Sequence, residues 1–308
     1  MNRNRFVKAS SIALGAGCVA LTGAAQAEDQ TSVLEDQPTR LISFETANTY
    51  DKGTLELSVG LSQTYSNDGG GTGNQLYFGG AAYAVSDRVT LGFDLSSYRD
   101  PVLDPINGLF PDIRMETAAL WGKFGLVESG NWKVAAQASV ENIFSLESPL
   151  WGGVRTSEWI GSLKAPISYS VSPSLQFHFT PAVSVFPDSV GGAEFYGTIV
   201  SLGAGVSYQP NERLSFFGAI DMPISGNNTI TNTGTYDKVA VWTAGARYNV
   251  TPKAALEAYV TNGVGMTPAT SILTHWPDGD RVLGGLRLVY TPDASRPESY
   301  RGVPNPVT

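Results

Sequence analysis

Apolar residues recur at every second position along most of this chain. In the first clear example, Leu55, Leu57, Val59 and Leu61 alternate with polar or small residues. Successive side chains of a β-strand point to opposite faces, so this period predicts strands with one apolar face each. We predict twelve strands, at residues 54–65, 75–85, 89–97, 113–126, 132–143, 157–170, 174–186, 194–208, 214–224, 238–249, 254–262 and 281–290.

The connections between these strands alternate between two lengths. Short turns are predicted at residues 86–88, 128–131, 172–173, 209–213 and 251–253. Longer loops rich in Gly and Pro are predicted at residues 66–74, 99–112, 145–156, 187–193, 225–237 and 263–280. A meander with short hairpins at one end and long loops at the other is typical of transmembrane barrels, whose short turns face the periplasm.

A soluble β-sandwich also alternates apolar and polar residues, but three features favour a membrane barrel. Many predicted strands have ten or more residues, enough to cross the hydrocarbon when tilted. The predicted lipid-facing positions carry no charge within the strands, where a charge is costly. Aromatic residues also recur next to the short turns and predict an interfacial girdle; they are Trp132, Tyr169, Tyr208, Tyr248 and Tyr290. The predicted fold is all-β, a transmembrane antiparallel up-and-down barrel of about twelve strands in contact with outer-membrane lipid.

The first 27 residues have the features of an export signal. Arg3, Arg5 and Lys8 are followed by a small, apolar stretch and by Ala25-Gln26-Ala27, a pattern that a signal peptidase accepts. The predicted organisation is therefore a signal peptide at 1–27, a periplasmic N-terminal segment at 28–53, the barrel at 54–290 and a disordered tail at 291–308. The predicted location is the outer membrane.

The net charge excludes several function classes. The whole chain carries 20 basic and 28 acidic residues. Removing the three basic residues of the leader leaves 17 − 28 = −11, which argues against nucleic acid as a partner. The single cysteine, Cys18, lies in the predicted leader, so we expect no disulfide and no cysteine metal site. We expect no cofactor or bound metal, and we interpret Asp278-Gly279-Asp280 as a turn rather than a Ca²⁺ site.

Prolines occur within two predicted strands. Pro166 and Pro181 each remove a donor from the hydrogen-bond ladder. We expect a bulge or a local break at these positions.

Three segments resemble Gram-negative outer-membrane β-barrel proteins. They are the leader ending Ala25-Gln26-Ala27, the segment Thr49–Leu57, and the closing strand Gly285–Tyr290. The second segment is similar to the start of outer-membrane transporters of the phenol-degradation (MetA-pathway-like) type. The closing strand resembles the assembly signal of such barrels, although Leu283 stands where a polar residue is usual and a tail follows. This resemblance implies a transport role, hydrophobic solutes, and partnership with periplasmic chaperones and the barrel-assembly machinery.

Charged residues are predicted to line the lumen of the barrel. Twelve tilted strands give a backbone diameter of about 24 Å, so the opening is expected to be narrow. The predicted lumen-lining residues toward the periplasmic end are Glu56, Lys123, Lys133, Arg247, Glu257 and Arg287. Those toward the outer end are Asp94, Glu141, Glu158 and Asp221, with Lys164 near the middle. These charges either form an acidic vestibule above a basic constriction that selects solutes, or pair with one another as structural ion pairs.

The sequence therefore predicts a porin-like channel or transporter for small solutes, and no enzyme. A non-transporting structural or adhesive barrel is the first alternative. A lipid-modifying enzyme is the second, because some barrels of this size use a His and a Ser for hydrolysis. This chain has His178 and His275, but neither is followed two residues later by a Ser. The sequence leaves the identity of the solute open. The acidic residues near the mouth favour cationic or neutral solutes, and the resemblance favours hydrophobic ones.

Overall fold

A closed barrel of antiparallel strands forms the body of the protein. The computed structural model describes residues 37–64, 75–100, 106–109 and 112–292. The barrel strands are β1 (Leu55–Thr64), β2 (Gln75–Ser86), β3 (Val89–Asp100), β4 (Ile113–Ser129), β5 (Trp132–Glu147), β6 (Thr156–Lys164 and Ile167–Ser172), β7 (Leu175–Val185), β8 (Thr198–Tyr208), β9 (Leu214–Ser225), β10 (Val241–Thr251), β11 (Ala254–Thr261) and β12 (Leu283–Tyr290). Each strand pairs with its neighbours in sequence, and β12 pairs with β1. The predicted twelve-stranded antiparallel barrel is confirmed.

Some strand boundaries differ from the prediction. Strands β4 and β5 are 17 and 16 residues long, and the register of their pairing shifts near Gly125. Strand β8 begins at Thr198 rather than at 194, because Gly197 has a φ of 62° and turns the chain there. The residues just before it, Ala193–Glu194, pair instead with Ser189–Val190 in a small hairpin of their own.

The two strand prolines lie next to each other in the wall. Strand β6 is interrupted between Lys164 and Ile167, where Pro166 stands, and Pro181 lies opposite in β7. The peptide N–H of Ala165 still donates to the Pro181 carbonyl at 3.0 Å. The pairing of β6 with β7 keeps one register on both sides of the interruption. The expected local break is therefore present at Pro166. At Pro181 the expectation is wrong, because β7 runs through this residue without a break or a bulge.

The outer face of the wall is apolar and the inner face is largely polar. On β1, Leu57, Val59 and Leu61 are 41%, 59% and 45% exposed, whereas Ser62, which follows them on the opposite face, is buried. The predicted girdle residues lie at or near the strand ends that adjoin the short turns, and the rings of Trp132 and Tyr169 are 4.6 Å apart. Such an apolar outer surface fits a lipid environment.

The buried cluster of the molecule lies in the interior and in the long loops. Small elements there are the strand pairs Arg40–Leu41 with Phe44–Glu45 and Thr229–Ile230 with Tyr236–Asp237, and the 3₁₀ turns Pro149–Trp151 and Thr270–Ile272. Among the described residues, no helix has the length and apolar character needed to span a membrane. The predicted leader, and the predicted tail beyond residue 292, lie outside the described residues.

Candidate functional site: the occupied barrel interior

Residues 37–50, here called the plug hairpin, lie inside the barrel. Leu41 pairs with Phe44, and the turn between them buries Ile42 almost completely. The hairpin contacts inward-facing wall side chains: the Ala47 N–H donates to Ser168 Oγ at 3.0 Å. We expected a periplasmic segment at 28–53, and for residues 37–50 this expectation is corrected. The reason is physical, because the apolar turn must be buried and the barrel interior is the space that buries it.

A carboxylate of the hairpin is the centre of an ion cluster. Glu45 contacts Arg40 Nε at 2.6 Å and the wall ammonium of Lys123 at 2.8 Å. Arg40 also reaches the wall carboxylate of Asp94 at 3.0 Å. Burial by itself would raise the pKa of the Glu45 carboxyl, but the charges of Arg40, Lys123 and Lys164 outweigh it and hold that pKa well below its usual range. The hairpin is thus fixed to the wall by buried ion pairs.

Uncharged contacts complete the attachment of the hairpin. Thr180 Oγ1 donates to the Glu45 carbonyl at 2.9 Å, and the Asn48 amide donates to Gln176 Oε1 at 3.0 Å. The ring of Phe44 lies over Gly203 on β8: a Cβ added there would be 2.5 Å from the ring. A side chain at this wall position would therefore occupy the space of the hairpin.

A histidine on the wall connects both legs of the hairpin. His178 Nδ1 is 2.8 Å from Ser168 Oγ, and its Nε2 is 3.1 Å from Ser207 Oγ. Ser168 accepts from Ala47 as described above, and Ser207 donates to Gln37 Oε1 at 3.4 Å. Both described hydrogen bonds of this imidazole thus connect it to serines that hold the hairpin, an arrangement that suits anchoring.

A second charge cluster lies within the wall itself. Arg247, Glu257 and Arg287 are direct neighbours in register on β10, β11 and β12. Arg287 Nε contacts Glu257 Oε2, and Arg247 contacts the other oxygen of the same carboxylate at 3.4 Å. Arg287 also donates to the Ile42 carbonyl at the tip of the hairpin, at 3.3 Å. Structural ion pairing, one of the two alternatives considered from the sequence, describes this cluster.

The connection between β11 and β12, residues 262–282, enters the barrel from the opposite end and is here called the inner loop. The Ala269 N–H donates to Glu141 Oε1 at 2.6 Å, and Lys164 Nζ donates to Ser271 Oγ at 2.8 Å. Most of its apolar residues, such as Leu273, are buried, and Val282 at its end is exposed. The sequence predicted only a Gly- and Pro-rich outer loop here.

The hairpin and the inner loop meet inside the barrel. Ser43 and Phe44 of the hairpin line the same small cavity as Ser271 of the loop and Asp221 of the wall. This cavity has a volume of about 10 Å³, and one beside Arg40 has about 20 Å³. Such spaces hold about one water molecule each. The described inserts therefore leave little free volume in this part of the interior.

An aromatic cluster lies at the end of the barrel that carries the long loops. Trp151 and Trp276 come from two different long loops, and their rings are 6.2 Å apart. Trp276 also packs edge-on against Tyr98 at 5.2 Å, and Trp151 packs against Phe195 at 5.1 Å. Sequence reasoning assigned Trp151 and Trp276 to separate loops and did not predict their packing, because it depends on contacts between residues far apart in the chain.

The structure places the predicted lumen residues in three groups. Those that contact the inserts or line a cavity beside them are Glu56, Asp94, Lys123, Glu141, Lys164, Asp221 and Arg287. Arg247 and Glu257 pair within the wall. Lys133 and Glu158 lie nearer the rims: Lys133 is 37% exposed and bonds Glu128 at 2.9 Å, and Glu158 is half-buried on the outer part of β6.

Sequence reasoning missed Arg40 and Glu45. Both flank a short apolar run and lie outside the regular strand period, and this is the only signal that could have marked them. Among the described residues, no group of three or more His, Cys, Asp or Glu side chains is placed to hold a metal. Asp278 instead accepts a hydrogen bond from the Asn232 N–H at 3.1 Å.

Comparison with known proteins shows the fold. No protein-family model matches the sequence, and no curated protein matches it. Among solved structures, an outer membrane channel from Pseudomonas putida F1 has a TM-score of 0.54 at 14% identity, covering 80% of this chain and 97% of that chain. The NanC porin has a TM-score of 0.50 at 9% identity, covering 77% of this chain and 98% of that chain. The chain therefore has the fold of outer-membrane barrels.

Proposed function

We propose that this protein is a channel of the Gram-negative outer membrane that passes small solutes through its barrel. In the described state, the plug hairpin and the inner loop close the passage. The observation that carries the proposal is how the hairpin is held. Its strand pair is separate from the barrel sheet, and each hydrogen bond described between hairpin and wall involves a side chain. The hairpin can therefore leave without breaking a backbone hydrogen bond of the barrel.

The character of the wall supports this function. Inward-facing residues such as Asp94, Lys123 and Lys164 are charged, and they contact inserts rather than one another. A barrel that only fills the membrane has no need of charged side chains facing a removable insert, because buried charges are costly to keep. Once the inserts move, the same side chains line a polar passage.

The location is part of the proposal. The apolar outer face and the fold support an outer-membrane barrel, and the sequence of residues 1–27 supports export with a cleaved leader. N-terminal sequencing of protein recovered from outer-membrane fractions is expected to begin at Glu28. A chain that keeps Met1, or that is found in the cytoplasm, would contradict the location. Depletion of the barrel-assembly machinery is expected to reduce the amount of folded protein.

A disulfide between hairpin and wall tests the gate. We would replace Ala47 and Ser168 by cysteine, since these residues are in contact and the only natural cysteine lies in the predicted leader. In planar bilayers, the oxidised double variant is expected to stay closed, and reduction should restore openings like those of the unsubstituted protein. Ser168→Cys alone is the control and should not respond to oxidation.

Two outcomes would count against the proposal. Equal conductance in the oxidised and reduced double variant would show that the hairpin does not gate the passage. A correctly folded barrel without conductance in either state, and without liposome swelling for sugars, amino acids or aromatic acids, would instead support the structural or adhesive alternative. Lipid hydrolysis that is lost in His178→Ala would support the enzyme alternative.

The solute panel also tests the finer resemblance. Transporters of the phenol-degradation type are expected to favour aromatic, weakly polar solutes. Selective swelling with aromatic acids over sugars of similar size would support that resemblance, and the reverse preference would oppose it.

A further inference from the structure

Two wall lysines flank a glutamine on three adjacent strands. Lys123 on β4 pairs in register with Gln137 on β5, and Gln137 pairs in register with Lys164 on β6. Neighbouring strands lie about 4.8 Å apart, so the two lysine backbones are about 10 Å apart and long side chains can converge between them. All three side chains are buried, with at most 5% exposure. We call these residues the lysine row.

The lysine row has no carboxylate of the wall beside it in register. Asp94 pairs with Ala119, four residues from Lys123 along β4, and Glu141 lies four residues from Gln137 along β5. Four residues span about 13 Å of strand, too far for direct pairing at the row. The arginines on β10 and β12 differ in this respect, because they share Glu257.

The negative charge at the row comes from the hairpin. The Glu45 carboxylate contacts Lys123 at 2.8 Å, whereas Lys164 is bonded to a serine hydroxyl of the inner loop. The amide of Gln137 is buried, and neither its nitrogen nor its oxygen has a described hydrogen-bond partner. A wall site with two ammonium groups and a spare amide donor is thus only partly satisfied by its occupant.

We propose that the lysine row is a binding site for the carboxylate of a transported solute, and that Glu45 is a tethered substitute for that carboxylate in the closed state. This inference rests on the proposed channel function and adds a substrate class, small carboxylate anions. A solute that binds Lys123 and Lys164 competes with Glu45, weakens the attachment of the hairpin and favours the open passage.

Binding can be tested without conduction. In the full chain carrying Glu45→Ala, the site should be vacant, and sodium acetate should bind in its place. Acetate is expected to raise the melting temperature saturably, whereas acetamide, of the same shape without charge, should not. Adding Lys123→Met or Lys164→Met to Glu45→Ala should remove most of the acetate effect. Lys133→Met in the same background is the matched control and should leave the effect intact, because Lys133 lies at the rim.

A second experiment measures conduction through the barrel. In the protein without substitutions, replacing chloride by acetate at equal ionic strength should raise the open probability at least threefold, and Lys164→Met should abolish that rise. If Glu45→Ala does not fold, Glu45→Gln, which keeps the shape, serves in the binding arm. Acetate binding that is absent, or unchanged by both lysine substitutions, would overturn the carboxylate site. Acetate binding that depends on the lysines, in a barrel that never conducts, would keep the site and reject the channel.

Discussion

The barrel contains two charge clusters that differ in what they join. Arg247, Glu257 and Arg287 join three adjacent strands of the wall. The cluster of Glu45 joins the wall to a hairpin that is no part of the barrel sheet. The first cluster persists whatever the hairpin does, and the second exists only while the hairpin is in place. The difference indicates that one cluster stabilises the barrel and the other holds the hairpin inside it.

The largest expected effect is on the wall cluster. Glu257→Gln leaves the buried Arg287 and the half-buried Arg247 without their shared carboxylate, and breaking a buried ion pair in this way costs about 3–5 kcal/mol. Urea unfolding of the barrel in detergent should show this loss of free energy. The control is Glu128→Gln at the exposed rim pair with Lys133, which is expected to change stability by less than about 1 kcal/mol. A loss for Glu257→Gln no larger than that of the control would remove the distinction between the two clusters.

The inner loop provides a test by pH. His275 is fully buried, and burial lowers the pKa of its imidazole to about 4. In a loop released from the barrel, the same imidazole has the ordinary pKa of 6.5. The buried conformation of the loop is therefore most stable above pH 6.5 and loses stability as the pH falls toward 4. The loss amounts to roughly 3 kcal/mol once both states are protonated.

Limited proteolysis of the inner loop at pH 7 and at pH 4 should detect this change. Cleavage should increase at the lower pH, while the barrel itself stays folded. His275→Asn removes the titrating group and should reduce the difference between the two pH values. Equal cleavage of the unsubstituted protein at both values would show that His275 does not control the loop.

A smaller effect is expected from a substitution that changes the packing of the hairpin but not its charges. Gly203→Ala places a methyl group against the Phe44 ring, and overpacking of this kind costs about 1–3 kcal/mol. The substitution should raise the open probability without changing any charge and should leave barrel unfolding nearly unaltered. Gly218→Ala on the next strand is the matched control, since its nearest contact is 3.9 Å away. Equal behaviour of the two variants would mean that Phe44 does not hold the hairpin in place.

Most of the fold was predictable from the strand pattern. An alternation such as Leu57-Ser58-Val59 arises within a single strand that faces lipid on one side. The strand can therefore be predicted from the local sequence. The rhythm of short and long connections then required a meander, and pairing of β12 with β1 completes it. The break at Pro166 was also predictable, because proline lacks a donor wherever it stands.

The interior was not predictable in the same way. The two-residue alternation of the strands placed Lys123 and Lys164 on the inner face. This alternation does not predict which residues an inward-facing side chain contacts. Glu45 is 78 residues from Lys123 in the chain, and no local pattern joins them. The hairpin was assigned to the periplasm because its Leu41–Phe44 pair is too short to show a strand period.

The sequence by itself determined the wall, namely its strands, its apolar outer face and the inward-facing positions of its charged residues. Each of these follows from the two-residue period of a strand. Only the tertiary structure decided what fills that wall. The plug hairpin and the inner loop satisfy inward-facing charges through contacts between distant parts of the chain. Burial strengthens the attraction between opposite charges, so these contacts determine which charges pair within the wall and which pair with the hairpin.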